Sequence, residues 1–436
     1  MYSPFPGNIV SGFGVDDLRF LEHQQVCEGL FVEYKSQLTT PAKVANSIAS
    51  FANSYGGWYI VGVEADKQSN VPIAFPGIAP IDCADPISSI RDSVRHHLDP
   101  VPRFFSELVR SDDGSVFVVV CVPEAQDKPI ISKNGRIYRR VADSSDPLSE
   151  SDRHAIDRIV DEGKLYRQRF IEFCRDERTK AKSEETSWLN IYLAPYPNLF
   201  QLELRITQDS LNELRDQCSQ QVELPLLVPD AALSGSVRFG AAHTTADGIR
   251  LSSGNLKEIH LNQLSLELHH DAWARIRIPL VVVADEDFRA HSHFFGAEVN
   301  SLLVELTDTR YLLKFIDVGS LVLAIGVLIR IYERWLGDIP EGVAHRVKLA
   351  YSGTWRALAY YRSQEWEQFV VDNGLPVNLS DDISWPTREP YFLSDPNPMA
   401  PLWLWVAAQA LLCLGLPTDQ FTHALGAAVA LAGAAD

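Results

Sequence analysis

Apolar and ionic positions alternate near the start of the chain. Leu30, Val32 and Tyr34 interleave with Phe31, Glu33 and Lys35, the period of a half-buried strand. Glu33 and Lys35 therefore project from one side, and Glu28 sits in the turn leading in. A helical pattern follows from Pro41 to about Asn53, with Val44, Ile48, Phe51 and Ala52 as its buried stripe. Thr40 before Pro41 is a cap-like start. The chain then turns through Gly56-Gly57 into an apolar strand, Trp58 to Val63, with Glu64 and Asp66 at its end. If the two strands pair, Glu28, Glu33 and one of Glu64 or Asp66 meet on one rim, beside Lys35.

The same reading extends along the chain. Val15–Gln25 is a short amphipathic helix, Val71–Pro86 a Pro-rich loop, and Asp85-Pro86 opens a helix carrying Ile87, Ile90, Val94 and Leu98 on one face. Arg91, Arg95, His96 and His97 occupy its other faces. Strands at 103–110 and 115–122 flank Asp113-Gly114, a hairpin signal. Gly135–Val141 is a further strand, Ser151–Arg175 a long helix, and Asp176–Glu185 a charged linker. Beyond Trp188, strands are predicted at 189–193, 201–206, 258–268, 274–283 and 302–316, with a helix near Gln208–Cys218. From Gly319 the pattern reads as helical: 321–336, 343–351, 364–371, 401–416 and 421–432. The fold class is thus α+β: a mixed α/β domain over 1–150, a helix and linker over 151–186, a β-rich domain over 187–318 and a helical unit over 319–436.

Length and composition fit this division. With 436 residues, 46% hydrophobic and 22% charged, the chain has ample material for buried cores in two or three domains. The net charge of −18 narrows the function. Residues 1–150 hold 13 Lys and Arg against 19 Asp and Glu. Nonspecific affinity for nucleic acid comes largely from cations against phosphate, so any such site is a local basic patch or one where metal ions offset the carboxylates. The six cysteines are scattered with no Cys-x-x-Cys pair, which argues against zinc knuckles and a disulfide framework. The N-terminal stretch lacks a basic region followed by an apolar run, so a cytoplasmic location is expected. Leu402–Leu416 is apolar but contains Gln409 and lacks a basic flank, and it reads as a buried helix with no membrane role.

Several constellations carry candidate chemistry. Magnesium and manganese take oxygen ligands, commonly one or two carboxylates with water and phosphate. Glu28, Glu33, Glu64 and Asp66 are the candidate ligands for Mg2+ or Mn2+, which activate water against a phosphodiester. Lys35 is placed to hold phosphate or neutralise developing charge. The alternative is a structural Glu33–Lys35 pair on a fold that only binds. Asn53, Gly56 and Gly57 form a helix end and open turn whose amides could approach a phosphate, although a tight turn needs glycine anyway. Tyr138, Arg139 and Arg140 interleave an aromatic with cations, as a backbone-gripping, base-stacking strand does. Alternation places Tyr138 and Arg140 on one face and Arg139 on the other. His269-His270 and His291-x-His293 lack the spacing of a helical metal site. No phosphate-binding P-loop, Gly-x-Ser-x-Gly or His-Glu-x-x-His motif is present.

Glu-x4-Glu-x-Lys (Glu28, Glu33, Lys35), then Ala52-Asn53-Ser54-Tyr55-Gly56-Gly57 and a strand closing in Gly62-Val63-Glu64, resembles the AlbA_2 domain of Schlafen and Schlafen-like proteins. The likeness continues through Val118–Pro123, Lys128-Pro129 and Ile137–Ser145, about residues 15–150. By this resemblance, Glu28 and Glu33 take the glutamate positions of a Schlafen nuclease site and Lys35 the family lysine. The third acid departs from the family pattern, being Glu64 or Asp66 with Ala65 between. The resemblance implies a nucleic-acid-acting protein, either a metal-dependent endoribonuclease cleaving structured RNA such as tRNA or a noncatalytic DNA- or RNA-binding regulator. With one lobe where clamp-forming members have two, a homodimer is expected. The alternative with no nucleic acid is a protein-interaction module with a C-terminal sensor.

Overall fold

The structure is a computed structural model. It describes residues 2–5, 11–79, 81–141, 146–175, 187–197, 206–225, 232–253, 264–280, 282–283, 296–307, 314–337, 343–361, 363–387, 392–394, 401–417, 419–420 and 422–426. The chain divides into two compact units, the first mainly Met1–Glu172 and the second mainly Phe173–Pro195, Leu202–Asp338 and Ala344–Asp436.

The first unit opens with helix α1 (Val15–His23) and strand β1 (Val32–Lys35), followed by α2 (Pro41–Ala52) and β2 (Gly57–Val61). A small ribbon pairs β3 (Glu64–Ala65) with β4 (Pro72–Ala74), the latter inside the predicted loop. Helix α3 (Pro86–His97) runs directly into β5 (Leu98–Asp99), and β6 (Phe105–Arg110) and β7 (Val116–Val122) form the expected hairpin. The remaining elements are β8 (Ile131–Ser132), β9 (Ile137–Arg139), β10 (Leu148–Glu150) and α4 (Arg153–Phe173). The main sheet has the order β1-β2-β7-β6, and a second sheet has the order β10-β9-β8-β5.

Alternation along the main sheet divides two cores. Val32, Tyr34, Trp58 and Ile60 pack with Leu18 and Leu21 of α1 on one face. Tyr59, Val61, Val118 and Val120 pack with Val44, Ile48 and Phe51 of α2 and Ile90 and Val94 of α3 on the other. β1 lies parallel to β2 with Glu33 opposite Tyr59 and Lys35 opposite Val61. The period that buries Val32 and Tyr34 therefore turns Glu33 toward α2. Asp85 caps α3 by accepting from the Ser88 amide at 3.0 Å, with Pro86 at its first position.

The second unit contains β11 (Trp188–Tyr196), α5 (Gln208–Cys218), β12 (Val222–Pro225), β13 (Ala232–Gly235), β14 (Ala241–Thr244), β15 (Gly248–Ser252), β16 (Ser265–His269), β17 (Ala274–Pro279) and β18 (Val282–Val283). There follow α6 (Ala297–Thr307), β19 (Lys314–Asp317), α7 (Val318–Leu336), β20 (Ala344–Ser352), β21 (Ala357–Tyr360), α8 (Gln364–Asn373), β22 (Ile383–Trp385), β23 (Phe392–Ser394) and α9 (Leu402–Cys413). The largest sheet has the order β14-β15-β16-β17-β11-β20-β22, with β23 also on β20. The carboxylate of Asp317 accepts from the Ser320 amide at 2.7 Å and starts α7.

Two sequence expectations change here. The 343–351 stretch is strand β20, because Val347, Leu349 and Tyr351 alternate with Arg346 and Lys348, and both faces are covered. The 302–316 stretch is instead the end of α6 and then β19, a short apolar run whose period does not separate helix from strand. β20 from the C-terminal stretch shares its sheet with β11 and β17, so residues on both sides of 318 belong to one unit. The expected linker at 176–185, the strand at 201–206 except Ile206, and His291 and His293 lie outside the described residues, as do Ala142–Ser145. Among the described residues, no helix is long and apolar enough to cross a membrane.

Candidate functional site

Glu28, Glu33 and Lys35 do come together. Lys35 Nζ lies 3.0 Å from Glu33 Oε1 and 4.0 Å from Glu28 Oε1. Glu28 Oε1 also accepts from the Tyr34 amide at 2.7 Å, which ties the turn to the strand. Burial pushes the Glu28 carboxyl up from its ordinary value, opposed by the Tyr34 amide and the Lys35 charge.

Glu33 is 1% exposed. Its Oε1 accepts from Ser47 Oγ on α2 at 3.0 Å, and its Oε2 is paired with the guanidinium of Arg140. Arg140 is itself buried, its guanidinium carbon 4.0 Å from the centre of the Phe51 ring. Burial lowers the Arg140 pKa, and the charge of Glu33 opposes that shift. The backbone amide of Arg140 donates to Ser54 Oγ at 2.9 Å, fixing β9 against the end of α2. Glu28 and Glu33 thus face Lys35 and Arg140, and the charge of Asp146 also acts on Arg140.

The third acid does not join them. The Glu28 amide donates to Asn70 O at 2.8 Å, so the β3–β4 turn is adjacent in backbone. Asp66 Oδ2, however, accepts from the Ser69 amide at 2.7 Å, Ser69 Oγ at 2.9 Å and the Gln68 amide at 3.0 Å. These bonds hold its carboxyl below the usual range, led by the Ser69 amide. Glu64 is exposed on the ribbon. Among the described residues, no three Asp, Glu, His or Cys side chains come close enough to hold an ion. The expected Mg2+ or Mn2+ set does not fit these positions, because Glu33 has both oxygens engaged, one of them by a buried guanidinium.

The predicted backbone-contacting residues are turned inward. Asn53 ends α2 and clamps a neighbouring segment: Nδ2 donates to Ile130 O at 2.8 Å and Tyr138 O at 2.9 Å, while Oδ1 accepts from Ile130 N at 2.7 Å. The Gly56 amide donates to Phe51 O at 3.0 Å, and φ of +75° explains glycine there. A Cβ on Gly57 would lie 2.3 Å from the Phe51 ring and 2.7 Å from Phe31 O, so this glycine permits close packing. Tyr138 and Arg140 are both buried, whereas Arg139 is half-buried and pairs with Glu150. Sequence reasoning missed Ser47 and the Glu33–Arg140 pair, which joins positions 107 apart in the chain with no spacing signal.

A second buried carboxylate lies in the other unit. Glu267 on β16 stands directly opposite Arg250 on β15 and Arg275 on β17. It pairs with Arg250, with Arg275 NH1 at 3.6 Å and with His269 Nε2 at 3.8 Å. Burial alone would raise its pKa; the neighbouring His269 ring and the two guanidinium charges outweigh it and bring Glu267 down to about 2. Phe173 packs against His269 at 5.0 Å between ring centres, and Arg275 donates to Phe173 O at 3.1 Å.

Residues 28–149 match the family described as Schlafen, AlbA_2, which places Glu28, Glu33, Lys35, Asn53 and Arg140 inside the matched segment. Among solved structures, the chain is similar to the DIP2311 protein from Corynebacterium diphtheriae, at 19% identity and a TM-score of 0.21, over 31% of this chain and 29% of that one. It is also similar to the N-terminal domain of a putative ATP-dependent DNA helicase RecG-related protein from Nitrosomonas europaea, at 28% identity and a TM-score of 0.22, over 30% of this chain and 92% of that one. The chain thus spans under a third of the first of these structures. No curated protein matches the chain. At the level of class, the AlbA_2 match supports a nucleic-acid-related function.

Proposed function

We propose that the AlbA_2-like unit binds nucleic acid, RNA or DNA, without metal-dependent cleavage. One observation carries this reading: Glu33, the acid best placed by spacing to ligate a metal, is buried and held by Arg140, Lys35 and Ser47. Exchanging those partners for a divalent cation would break the buried Glu33–Arg140 pair, and losing one member of such a pair costs about 3–5 kcal/mol. The cluster then serves as a brace that joins β1, α2 and the end of β9.

A second reading is a metal-dependent endoribonuclease acting on structured RNA such as tRNA, with a homodimer forming the RNA-holding cleft. The observation in its favour is that Glu28 and Glu33 do meet at Lys35, whose side chain is 26% exposed. Incubating the protein with tRNA and Mn2+ or Mg2+, beside Glu33→Gln, separates the two. Binding at low salt without cleavage is expected. Cleavage that disappears in Glu33→Gln would overturn the binding-only reading.

A further inference from the structure

The surface that meets phosphate must be sought elsewhere, because Arg139 and Arg140 are both engaged by glutamates. The end of α3 and the β8–β9 hairpin offer a different set of cations. Arg91 and Arg95 are one turn apart on α3, both exposed, and residues four apart share a helix face. β5 continues from α3 and pairs with β8, Leu98 opposite Ser132. That pairing brings the hairpin turn onto the helix end: the Lys133 amide donates to His97 O at 2.8 Å, and Lys133 Nζ reaches Arg95 O at 3.3 Å. Arg136 closes the same turn, its carbonyl accepting from the Ser132 amide at 2.8 Å, and its side chain is exposed.

Among the described residues, none of Arg91, Arg95, Lys133 and Arg136 forms an ion pair. Asp92 on α3 and Asp99 on β5 are exposed and form no ion pair with these cations, and Arg91 also acts on Asp85 at the start of α3 through its charge. A cation at a helix C-terminus complements the helix dipole, which accounts for Lys133 on the Arg95 carbonyl. It does not account for Arg136 on the hairpin or Arg91 a full turn back. Four such cations gathered by tertiary pairing, in a chain of net charge −18, make a local basic patch, the feature that affinity for phosphate requires of an acidic chain.

We infer that this surface, formed by Arg91, Arg95, Lys133 and Arg136, contacts the phosphate backbone of the nucleic acid. The inference rests on the nucleic-acid reading and gives that reading its contact surface. It involves no base contacts, so binding is tolerant of sequence and strongly dependent on salt.

The test measures binding of the full chain to bulk tRNA and to a random-sequence DNA duplex across a KCl series. The variant replaces Arg95, Lys133 and Arg136 by Gln together; all three are exposed, and matching circular dichroism and melting would verify the fold. The control replaces Lys43, Lys67 and Arg110 by Gln, which removes equal charge from exposed positions elsewhere on the unit. The slope of log K against log salt is expected to flatten by about 2 to 3 in the first variant, at roughly 0.9 for each duplex phosphate no longer neutralised. The control should keep the wild-type slope. If wild type binds and the patch variant binds with unchanged slope, this surface is overturned while the nucleic-acid reading stands. Equal flattening in the control would also overturn it. No wild-type binding at the lowest salt would overturn both.

Discussion

Glu33 and Glu267 are each a buried glutamate on a strand, held by cations, one in each unit. Glu33 lies in the segment that matches the AlbA_2 family and in a spacing that suggests a metal site; Glu267 lies in neither. Their surroundings are nonetheless alike in chemistry. Glu33 has Arg140, Lys35 and Ser47, and Glu267 has Arg250, Arg275 and His269. A buried carboxylate surrounded by cations is therefore a structural solution this chain uses twice. The difference is in how the partners are recruited. Those of Glu267 come from adjacent strands in direct register, whereas the Arg140 partner of Glu33 comes from 107 residues away. Loss of the Glu33 cluster should accordingly disconnect parts of its unit, while loss of the Glu267 cluster should loosen one sheet.

The largest effect follows from removing the distant partner. Arg140→Met leaves Glu33 buried with Lys35 and Ser47 alone, and should reduce stability by about 3–5 kcal/mol in denaturant unfolding. A change near zero would mean that the pair is not closed in solution.

Acid should separate the two units next. His345 is buried, and burial lowers its pKa to about 4. As pH falls from about 6.5 toward 4, the unfolded chain takes a proton that the folded chain refuses, and about 3 kcal/mol of stability is lost. Glu267, at about 2 in the fold, contributes stability that is present above its unfolded value near 4.5 and is lost as pH falls from there toward 2. Glu28 acts with the opposite sign. Its raised pKa means that the folded state holds the proton more tightly, so stability rises as pH falls through the folded value toward the unfolded one. Hydrogen exchange, corrected for intrinsic rates, should show β16 and β20 opening on acidification before β1 does. The reverse order would contradict this assignment.

A smaller loss is expected at Asn53. Asn53→Ala leaves the Ile130 amide and two carbonyls without their partner, and should cost about 2–3 kcal/mol with local exchange at β8 and β9. Asn53→Asp should lose the two bonds donated by Nδ2 while keeping the acceptor. If the main effect of either variant were on nucleic-acid affinity at unchanged stability, Asn53 would be a contact residue.

The legible parts of the molecule were those governed by short-range period. Alternation of Val32 and Tyr34 with Glu33 and Lys35 located β1 and its ionic face, and Asp113-Gly114 located the β6–β7 hairpin. Alternation put Tyr138 and Arg140 on one face, but it did not reveal that both are buried, because period 2 is the same on either side of a sheet. β20 reads as helical since Val343, Val347 and Tyr351 also recur at the four-residue spacing of a helix face, and so short a run satisfies both periods. The rim of Glu28, Glu33 and Lys35 was expected from spacing together with a third acid, Glu64 or Asp66, that does not join it. Its closure by Arg140 was not, since a pairing set by tertiary contact leaves no local pattern.

Melting of wild type and Glu33→Gln with and without excess Mn2+ tests the central claim most directly, because a bound ion stabilises the state that holds it. If Glu33 is engaged by Arg140, Lys35 and Ser47, Mn2+ leaves the wild-type Tm unchanged and Glu33→Gln melts lower under both conditions. A Mn2+-dependent rise in the wild-type Tm that vanishes in Glu33→Gln would contradict the account.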